Sequence, residues 1–211
     1  MKLRTALPLL LALTAPLMPQ CASATTIDFE SLASTLTTYA GPIDGPVDGY
    51  VFSANTWIVD EFYYNVRFHN VPYPLSGDIG ANALDDAPII LSKQDGGVFS
   101  LQNLIFSSWD TASQDRQGTF TATGYLNGVE VASASAQSAQ FNWSTLTANF
   151  RAVDKVVFEF NVSQGANTYP FSFVIDNVNV SAVPQPSTYA MLLGGLVLLG
   201  CTARRQSHNK T

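Results

Sequence analysis

Acidic residues are the side chains of this chain best suited to chemistry, and their spacing favours metal binding. Asp28 and Glu30 lie in an early predicted strand, and Asp176 lies in the last predicted strand, at an expected irregularity. If these two strands are neighbours, the three carboxylates approach one another, and carboxylate oxygens are ligands that Ca²⁺ prefers. We therefore predict a calcium site at Asp28, Glu30 and Asp176. The alternative is that Asp176 only caps or kinks its strand.

Catalytic patterns are not evident in the sequence. His69 is the single histidine before the last few residues of the chain, and no Gly-x-Ser-x-Gly elbow, His-Glu-x-x-His helix or phosphate-binding glycine loop occurs. The acidic pairs Asp60-Glu61 and Asp85-Asp86 are adjacent, so on a strand their side chains point to opposite faces. We expect a protein that is not an enzyme, and a hydrolase is the weakest alternative.

Aromatic residues suggest a second kind of site, because sugar rings stack on exposed aromatic side chains. Most aromatic residues of a small β-domain belong to its core. Trp109 is the best exception, since it follows Phe106-Ser107-Ser108 off a predicted strand into a polar loop and precedes the hydrogen-bonding carboxylate of Asp110. We predict a glycan-binding site at Trp109 and Asp110. The other candidates are Trp57, Trp143 and the pair Tyr63-Tyr64.

Charge and cysteine content narrow the functional classes. All 16 acidic residues but only five basic residues lie between Thr25 and Val183, so this segment has a net charge of 5 − 16 = −11. Such a charge opposes binding to nucleic acid and is compatible with calcium. Cys21 and Cys201 lie outside this segment. The segment therefore has no disulfide and depends on an ordinary hydrophobic core.

The middle of the chain has the two-residue periodicity of half-buried strands. Residues 119–126 alternate between apolar and polar side chains, Asn127-Gly128 follows, and Val129 begins the return strand. Asn-Gly between alternating segments is a strong hairpin signal, because both residues tolerate positive φ. We expect the Ala/Ser/Gln run of residues 132–140 to be a solvent-facing edge strand or a loop.

The last predicted strand changes the parity of its apolar residues. Phe171, Phe173 and Ile175 share one face, whereas Val178 and Val180 fall on the other. One extra residue near positions 176 and 177, a β-bulge, restores a single inward face. Many short strands of this kind predict an all-β, antiparallel two-sheet sandwich over residues 25–182, with the first and last strands as neighbours. The pattern resembles the jelly-roll, galactose-binding-like domains of secreted bacterial proteins.

The N-terminus has the features of a secretory signal. Lys2 and Arg4 precede a short apolar stretch, residues 7–17, and Ala22-Ser23-Ala24 provides the small residues that signal peptidase accepts. We predict a signal peptide over residues 1–24. Cys21 leaves a lipoprotein as the alternative.

The C-terminus, residues 183–211, has three parts in order. Pro184-Gln185-Pro186 comes first, an apolar run over residues 189–203 follows, and Arg204-Arg205 closes it. The apolar run predicts a transmembrane helix over about residues 187–203. The arginines would then stay on the cytoplasmic side and the preceding domain outside.

These three parts resemble the PEP-CTERM sorting signal of exported proteins in Gram-negative bacteria. Pro184 and Pro186 match its prolines and Arg204-Arg205 its basic cluster, while Gln185 stands where the family usually has Glu. The resemblance implies an exosortase-type membrane peptidase as partner. It also implies transient anchoring in the inner membrane, followed by delivery to the cell surface or the extracellular space. The alternative is a plain single-pass anchor.

Together these features favour a non-catalytic surface or extracellular-matrix protein that acts in adhesion or in association with exopolysaccharide. The alternative is a carbohydrate-binding module with a specific glycan ligand. A specific carbohydrate-binding module needs an exposed aromatic platform beside polar groups, and such a platform would favour the alternative.

Overall fold

The structure is a computed structural model that describes residues 24–35, 40–60, 77, 79–108, 117–139, 142–164, 167–183, 193–197 and 199. Residues 22–183 form one compact unit, and residues 1–21 and 184–211 form a second. The predicted signal peptide lies almost entirely outside the described residues.

The described part of the first unit consists of thirteen strands and one short helix. A 3₁₀ helix, Glu30–Thr35, follows the first strand. The strands in chain order are β1 (Ala24–Ile27), β2 (Ala40–Pro42), β3 (Tyr50–Phe52), β4 (Thr56–Asp60), β5 (Ile79–Ala83), β6 (Ile89–Lys93), β7 (Phe99–Ser108), β8 (Gly118–Leu126), β9 (Val129–Gln137), β10 (Ser144–Val153), β11 (Lys155–Gln164), β12 (Asn167–Pro170) and β13 (Phe173–Ala182).

These strands form two antiparallel sheets. The seven-stranded sheet has the order β10-β7-β13-β5-β4-β2, with β1 also paired to β13. The six-stranded sheet has the order β3-β6-β11-β8-β9, with β12 also paired to β11. The predicted all-β, two-sheet antiparallel fold is confirmed.

The hydrophobic core is made of the inward-facing residues of both sheets. On β8 the alternation is as predicted, since Phe120 and Ala122 are fully buried between partly exposed threonines. Phe120 of the six-stranded sheet stacks on Phe106 of the seven-stranded sheet, with ring centroids 4.3 Å apart, and meets Phe173 edge-on at 5.2 Å. Burial of each phenylalanine stabilises the fold by about 1.5–3 kcal/mol. These rings therefore hold the two sheets together.

The predicted hairpin joins β8 to β9. Asn127 and Gly128 have φ angles of 53° and 78°, and Leu126 pairs with Val129. Positive φ at both central residues is the signature of a type I′ turn, so the hairpin prediction is confirmed. The Ala/Ser/Gln run forms most of β9, which is the end strand of its sheet.

The last strand, β13, contains the predicted bulge. Its register with β7 shifts between Asp176 and Asn179, and Asn177 has a φ of 50°. On the side of β13 opposite β7, β5 pairs before the bulge and β1 pairs after it, with Ile27 opposite Val178. The first and last strands are therefore neighbours, as predicted.

In the second unit, residues 193–197 and 199 are helical. The remainder of the expected helix over residues 187–203 lies outside the described residues. No helix within the described part of the chain is long and apolar enough to cross a membrane.

Candidate functional site

The outward side chains of the seven-stranded sheet are largely polar, and several of them are buried. Side chains alternate along a strand, so residues between two core residues point away from the core. On β1, β5, β7 and β13 these outward residues are mainly Asn, Ser, Thr and Asp. We call the following eight side chains the polar face: Thr26, Asn82, Ser100, Asn103, Ser107, Asp176, Asn179 and Ser181.

Three side chains of the polar face form a hydrogen-bonded row across β1, β13 and β7. The Thr26 hydroxyl donates to Asn179 Oδ1 at 2.6 Å, and Asn179 Nδ2 donates to Asn103 Oδ1 at 2.7 Å. Asn179 Nδ2 also donates to the carbonyl of Asn177 at 3.3 Å. Within the described residues no acceptor lies within hydrogen-bond distance of Asn103 Nδ2. The row therefore presents an oriented, unused donor at the partly exposed surface.

The row is followed by a second polar pair further along the same strands. Ser100 Oγ and Ser181 Oγ are 2.5 Å apart, and Gln102 Nε2 donates to Ser100 Oγ at 3.3 Å. These contacts fix the hydroxyl groups on the sheet, because each side chain is held by its cross-strand neighbour.

The other end of the polar face is buried. Asn82 is 2 % exposed and Ser107 1 % exposed, and both lie in the register row that crosses Val174 of β13. Asn82 Nδ2 donates to the carbonyl of Phe173 at 3.1 Å, but in the described part of the chain nothing donates to Asn82 Oδ1. A buried amide with one unused acceptor is uncommon. Trp57 of β4, half-buried, lies opposite Asn82 in the register.

Each of the three predicted calcium ligands accepts a hydrogen bond from a backbone N–H group. Glu30 N donates to Asp28 Oδ1 at 3.2 Å, and Ile79 N donates to Glu30 Oε1 at 3.0 Å. Ile79 is the first residue of β5. Glu30 therefore links the segment that follows β1 to the start of β5, the other strand that pairs with this side of β13. Asp176 is fully buried, and its Oδ1 accepts from Asn177 N at 2.6 Å.

The structure does not bring these carboxylates together as a metal cluster. Among the residues described, no group of three or more His, Cys, Asp or Glu side chains is placed to hold a metal ion. The contact between Asp176 and Asn177 N is the one expected if Asp176 only stabilises the bulge. Calcium binding at Asp28, Glu30 and Asp176 stays a prediction.

The predicted glycan site cannot be placed in the same way. Trp109 and Asp110 lie outside the described residues, although β7 ends at Ser108, directly before them. The sorting residues Pro184, Gln185, Pro186, Arg204 and Arg205 lie outside them too, as do His69 and the pair Tyr63-Tyr64.

The amides of the polar face were not among the predicted site residues. A signal was present in β13, where Asn177-Val178-Asn179-Val180 alternates amide and apolar side chains. That pattern indicates a half-buried strand with amides outward. It does not show that Asn179 meets Asn103 and Thr26, which belong to distant parts of the chain.

Comparison with known families identifies the sorting signal at the C-terminus. The PEP-CTERM protein-sorting motif matches residues 182–206, which confirms the resemblance of the C-terminus. The motif implies export toward the cell surface and processing by an exosortase. A search of curated proteins found no match.

Comparison with solved structures supports the fold. A DUF4465 family protein from Bacteroides caccae is similar over 76 % of this chain and 100 % of its own, with 15 % identity and a TM-score of 0.54. The CBM22-1–GH10 modules of a Clostridium thermocellum endo-1,4-β-D-xylanase, complexed with xylohexaose, cover 69 % of this chain and 28 % of theirs, with 15 % identity and a TM-score of 0.40. TmCBM61, in complex with β-1,4-galactotriose, covers 64 % of this chain and 90 % of its own, with 10 % identity and a TM-score of 0.32. At such identities the likeness concerns the fold alone.

Proposed function

We propose that this chain is a non-catalytic surface protein that associates with extracellular polysaccharide through the polar face of its β-sandwich. The observation that carries the proposal is the row formed by Thr26, Asn179 and Asn103, which ends in an unused amide donor. Amides and hydroxyls both donate and accept hydrogen bonds, as the hydroxyl groups of a sugar do. Because the row lies on paired strands, its groups are ordered before a ligand arrives, which lowers the entropic cost of binding.

The charge of the domain selects the kind of polysaccharide. Residues 25–183 carry a net charge of −11, by the count of five basic and 16 acidic residues given above. A polyanionic chain is repelled by such a charge. Seven of the eight side chains of the polar face are uncharged, and the eighth, Asp176, is fully buried. The ligand class is therefore a neutral polysaccharide.

The C-terminal motif supports the place of action. In this proposal the segment after residue 183 holds the protein in the inner membrane until an exosortase-type peptidase cleaves it. The sandwich is then delivered to the surface or the matrix, where polysaccharide is present. The domain needs no catalytic residues for this role.

A second candidate is a module for one particular glycan, and Trp57 favours it. The ring lies across from Asn82, whose buried Oδ1 has no described donor. Directly opposed side chains of paired strands are about 5 Å apart at Cβ. A half-buried indole on the outward side of the sheet fits a sugar ring that stacks on it, while Asn82, 2 % exposed, is too buried to contact the ligand.

Affinity electrophoresis separates these possibilities. The protein is run through gels that contain a neutral glucan, galactan or xylan, or a polyanionic alginate, and we expect retardation by a neutral polymer only. Asn179→Ala removes the centre of the row and should weaken binding about tenfold, or ~1.4 kcal/mol. Asn161→Ala, on the outer face of the other sheet, is the matched control. Equal binding by both variants and the parent would contradict the proposal, whereas a loss confined to Trp57→Ala would favour the specific module.

A further inference from the structure

The edge of β9 is the least protected strand edge in the described part of the sandwich. Natural edge strands avoid pairing with other chains by being short, by containing proline, or by bulging. β2 and β3 have three residues each, and β12 has four, ending at Pro170. β10 is long, but its register shifts twice and Asn149 has a φ of 53°. β9 has nine residues and a single register shift, near its start, so residues 132–137 are regular.

The hydrogen-bond pattern shows which backbone groups of β9 face the open edge. Ser138 N donates to Gly118 O at 2.9 Å, which marks a hydrogen-bonded pair. Hydrogen-bonded and non-hydrogen-bonded pairs alternate along an antiparallel ladder. Ser133, Ser135 and Gln137, which oppose threonines of β8, therefore point their N–H and C=O groups away from β8. None of the described residues forms a hydrogen bond with these outward backbone groups.

We propose that a second copy of this chain pairs with this edge, β9 against β9, around a two-fold axis at Ser135. In this register Ser135 opposes its own copy and Ser133 opposes Gln137 of the second copy, so roughly six backbone hydrogen bonds form. Residues 131–139 contain no charge and no proline, and Glu130 lies beyond the paired stretch. No like charges are therefore brought together along the shared ladder.

The side chains of β9 fit the same arrangement. The serines are exposed on one face of the strand, and the half-buried alanines 132, 134 and 136 pack on the core from the other. Alternating small side chains leave the backbone of the edge open to close approach. Each copy has one β9, so the symmetric contact closes as a dimer and does not grow into a filament. The polar face belongs to the other sheet, so this inference and the proposed function can fail independently.

Disulfide trapping tests the register. In a full chain with Cys21→Ser and Cys201→Ser, Ser135→Cys introduces the only thiol, and its Cα lies about 5.5 Å from that of its copy, within disulfide range. Thr121→Cys is the matched control: it opposes Ser135 on β8 but lies about three strand spacings, or ~14 Å, from its copy. We expect a dimer on non-reducing gels for Ser135→Cys only. Dimers for both variants, or for neither, would overturn the proposal.

A variant that lacks the backbone N–H of residue 135 tests the pairing of β9 with its copy without introducing a disulfide bond. The N–H of Ser135 is not used in the ladder with β8, so Ser135→Pro is compatible with a folded edge strand. Light scattering of the full chain in mild detergent should show a dimer for the parent and a monomer for Ser135→Pro. If circular dichroism shows that Ser135→Pro is unfolded, Ser135→Lys, which opposes two like charges at the axis, replaces it. A parent that is monomeric, or a variant that stays dimeric, refutes the inference.

Discussion

Gly77 and Gly96 provide a test of the contact that joins β1 to β5. Both glycines have positive φ, 59° and 68°, so alanine is strained at either position. An added Cβ at Gly77 would overlap the carboxylate of Glu30, whereas at Gly96 it would meet nothing within 4 Å. Gly96→Ala therefore reports the backbone strain alone, and Gly77→Ala reports the strain together with displacement of Glu30.

The magnitudes follow from the two causes. The left-handed conformation costs an alanine about 1–2 kcal/mol, and this applies to both variants. Displacement of Glu30 loses its hydrogen bond from Ile79 N, 3.0 Å long. A bond to a charged group contributes about 1.5–3 kcal/mol when buried. Because Glu30 is partly exposed, we reduce this to about 1 kcal/mol. We expect losses of about 2–3 kcal/mol for Gly77→Ala and about 1–2 kcal/mol for Gly96→Ala.

Urea unfolding of five variants provides the measurement: Gly77→Ala, Gly96→Ala, Glu30→Ala, Gly77→Ala/Glu30→Ala and Gly96→Ala/Glu30→Ala. The first double variant should lose about 1 kcal/mol less than the sum of its single variants, because the carboxylate can be removed only once. Gly96→Ala combined with Glu30→Ala should be additive. The assigned contact between Glu30 and the chain before β5 is wrong if Gly77→Ala and Gly96→Ala lose the same free energy of unfolding. It is also wrong if the losses of Gly77→Ala and Glu30→Ala are additive.

Four further predictions concern separate parts of the protein. In a host with the sorting peptidase, mass spectrometry should find the mature protein shortened at its C-terminus; a chain intact through Thr211 would contradict processing. Gly128→Val should lower the melting temperature, because a β-branched residue resists the observed φ of 78°, and an unchanged value would contradict the type I′ turn. If calcium binds, chelation should lower the melting temperature of the parent, and Asp176→Ala should abolish the response to calcium. If neither the parent nor Asp176→Ala responds to calcium or chelator, Asp176 has a purely structural role. Burial, and next the negative charge of Asp95, raise the pKa of Tyr50 above 10.0. The neutral phenol is therefore favoured in the folded state, and the free energy of unfolding should fall as the pH rises above about 10. Tyr50→Phe should reduce that fall, and an identical pH profile would contradict it.

Local patterns in the sequence determined the elements of this fold. Alternation of apolar and polar residues identified β8, because a strand with one buried face requires a period of two. Asn127-Gly128 identified the hairpin, since few other residue pairs accept positive φ at both positions. The parity change in β13 located the bulge at Asp176 and Asn177, and the three parts of the C-terminus identified the sorting motif that matches residues 182–206.

Tertiary structure decided which side chains meet. Thr26 and Asn179 are 153 positions apart, and Asn103 and Asn179 are 76 apart, yet they form one hydrogen-bonded row. Their contact depends on the order of the strands and on the register across the bulge of β13, and neither is encoded in the spacing of residues along one strand. For the same reason the sequence could suggest Asp28, Glu30 and Asp176 as a group, but it could not show that each of these carboxylates accepts a hydrogen bond from a backbone N–H. A shift of one residue in register turns every side chain to the opposite face of the sheet, so the polar face exists only when the complete sheet has formed.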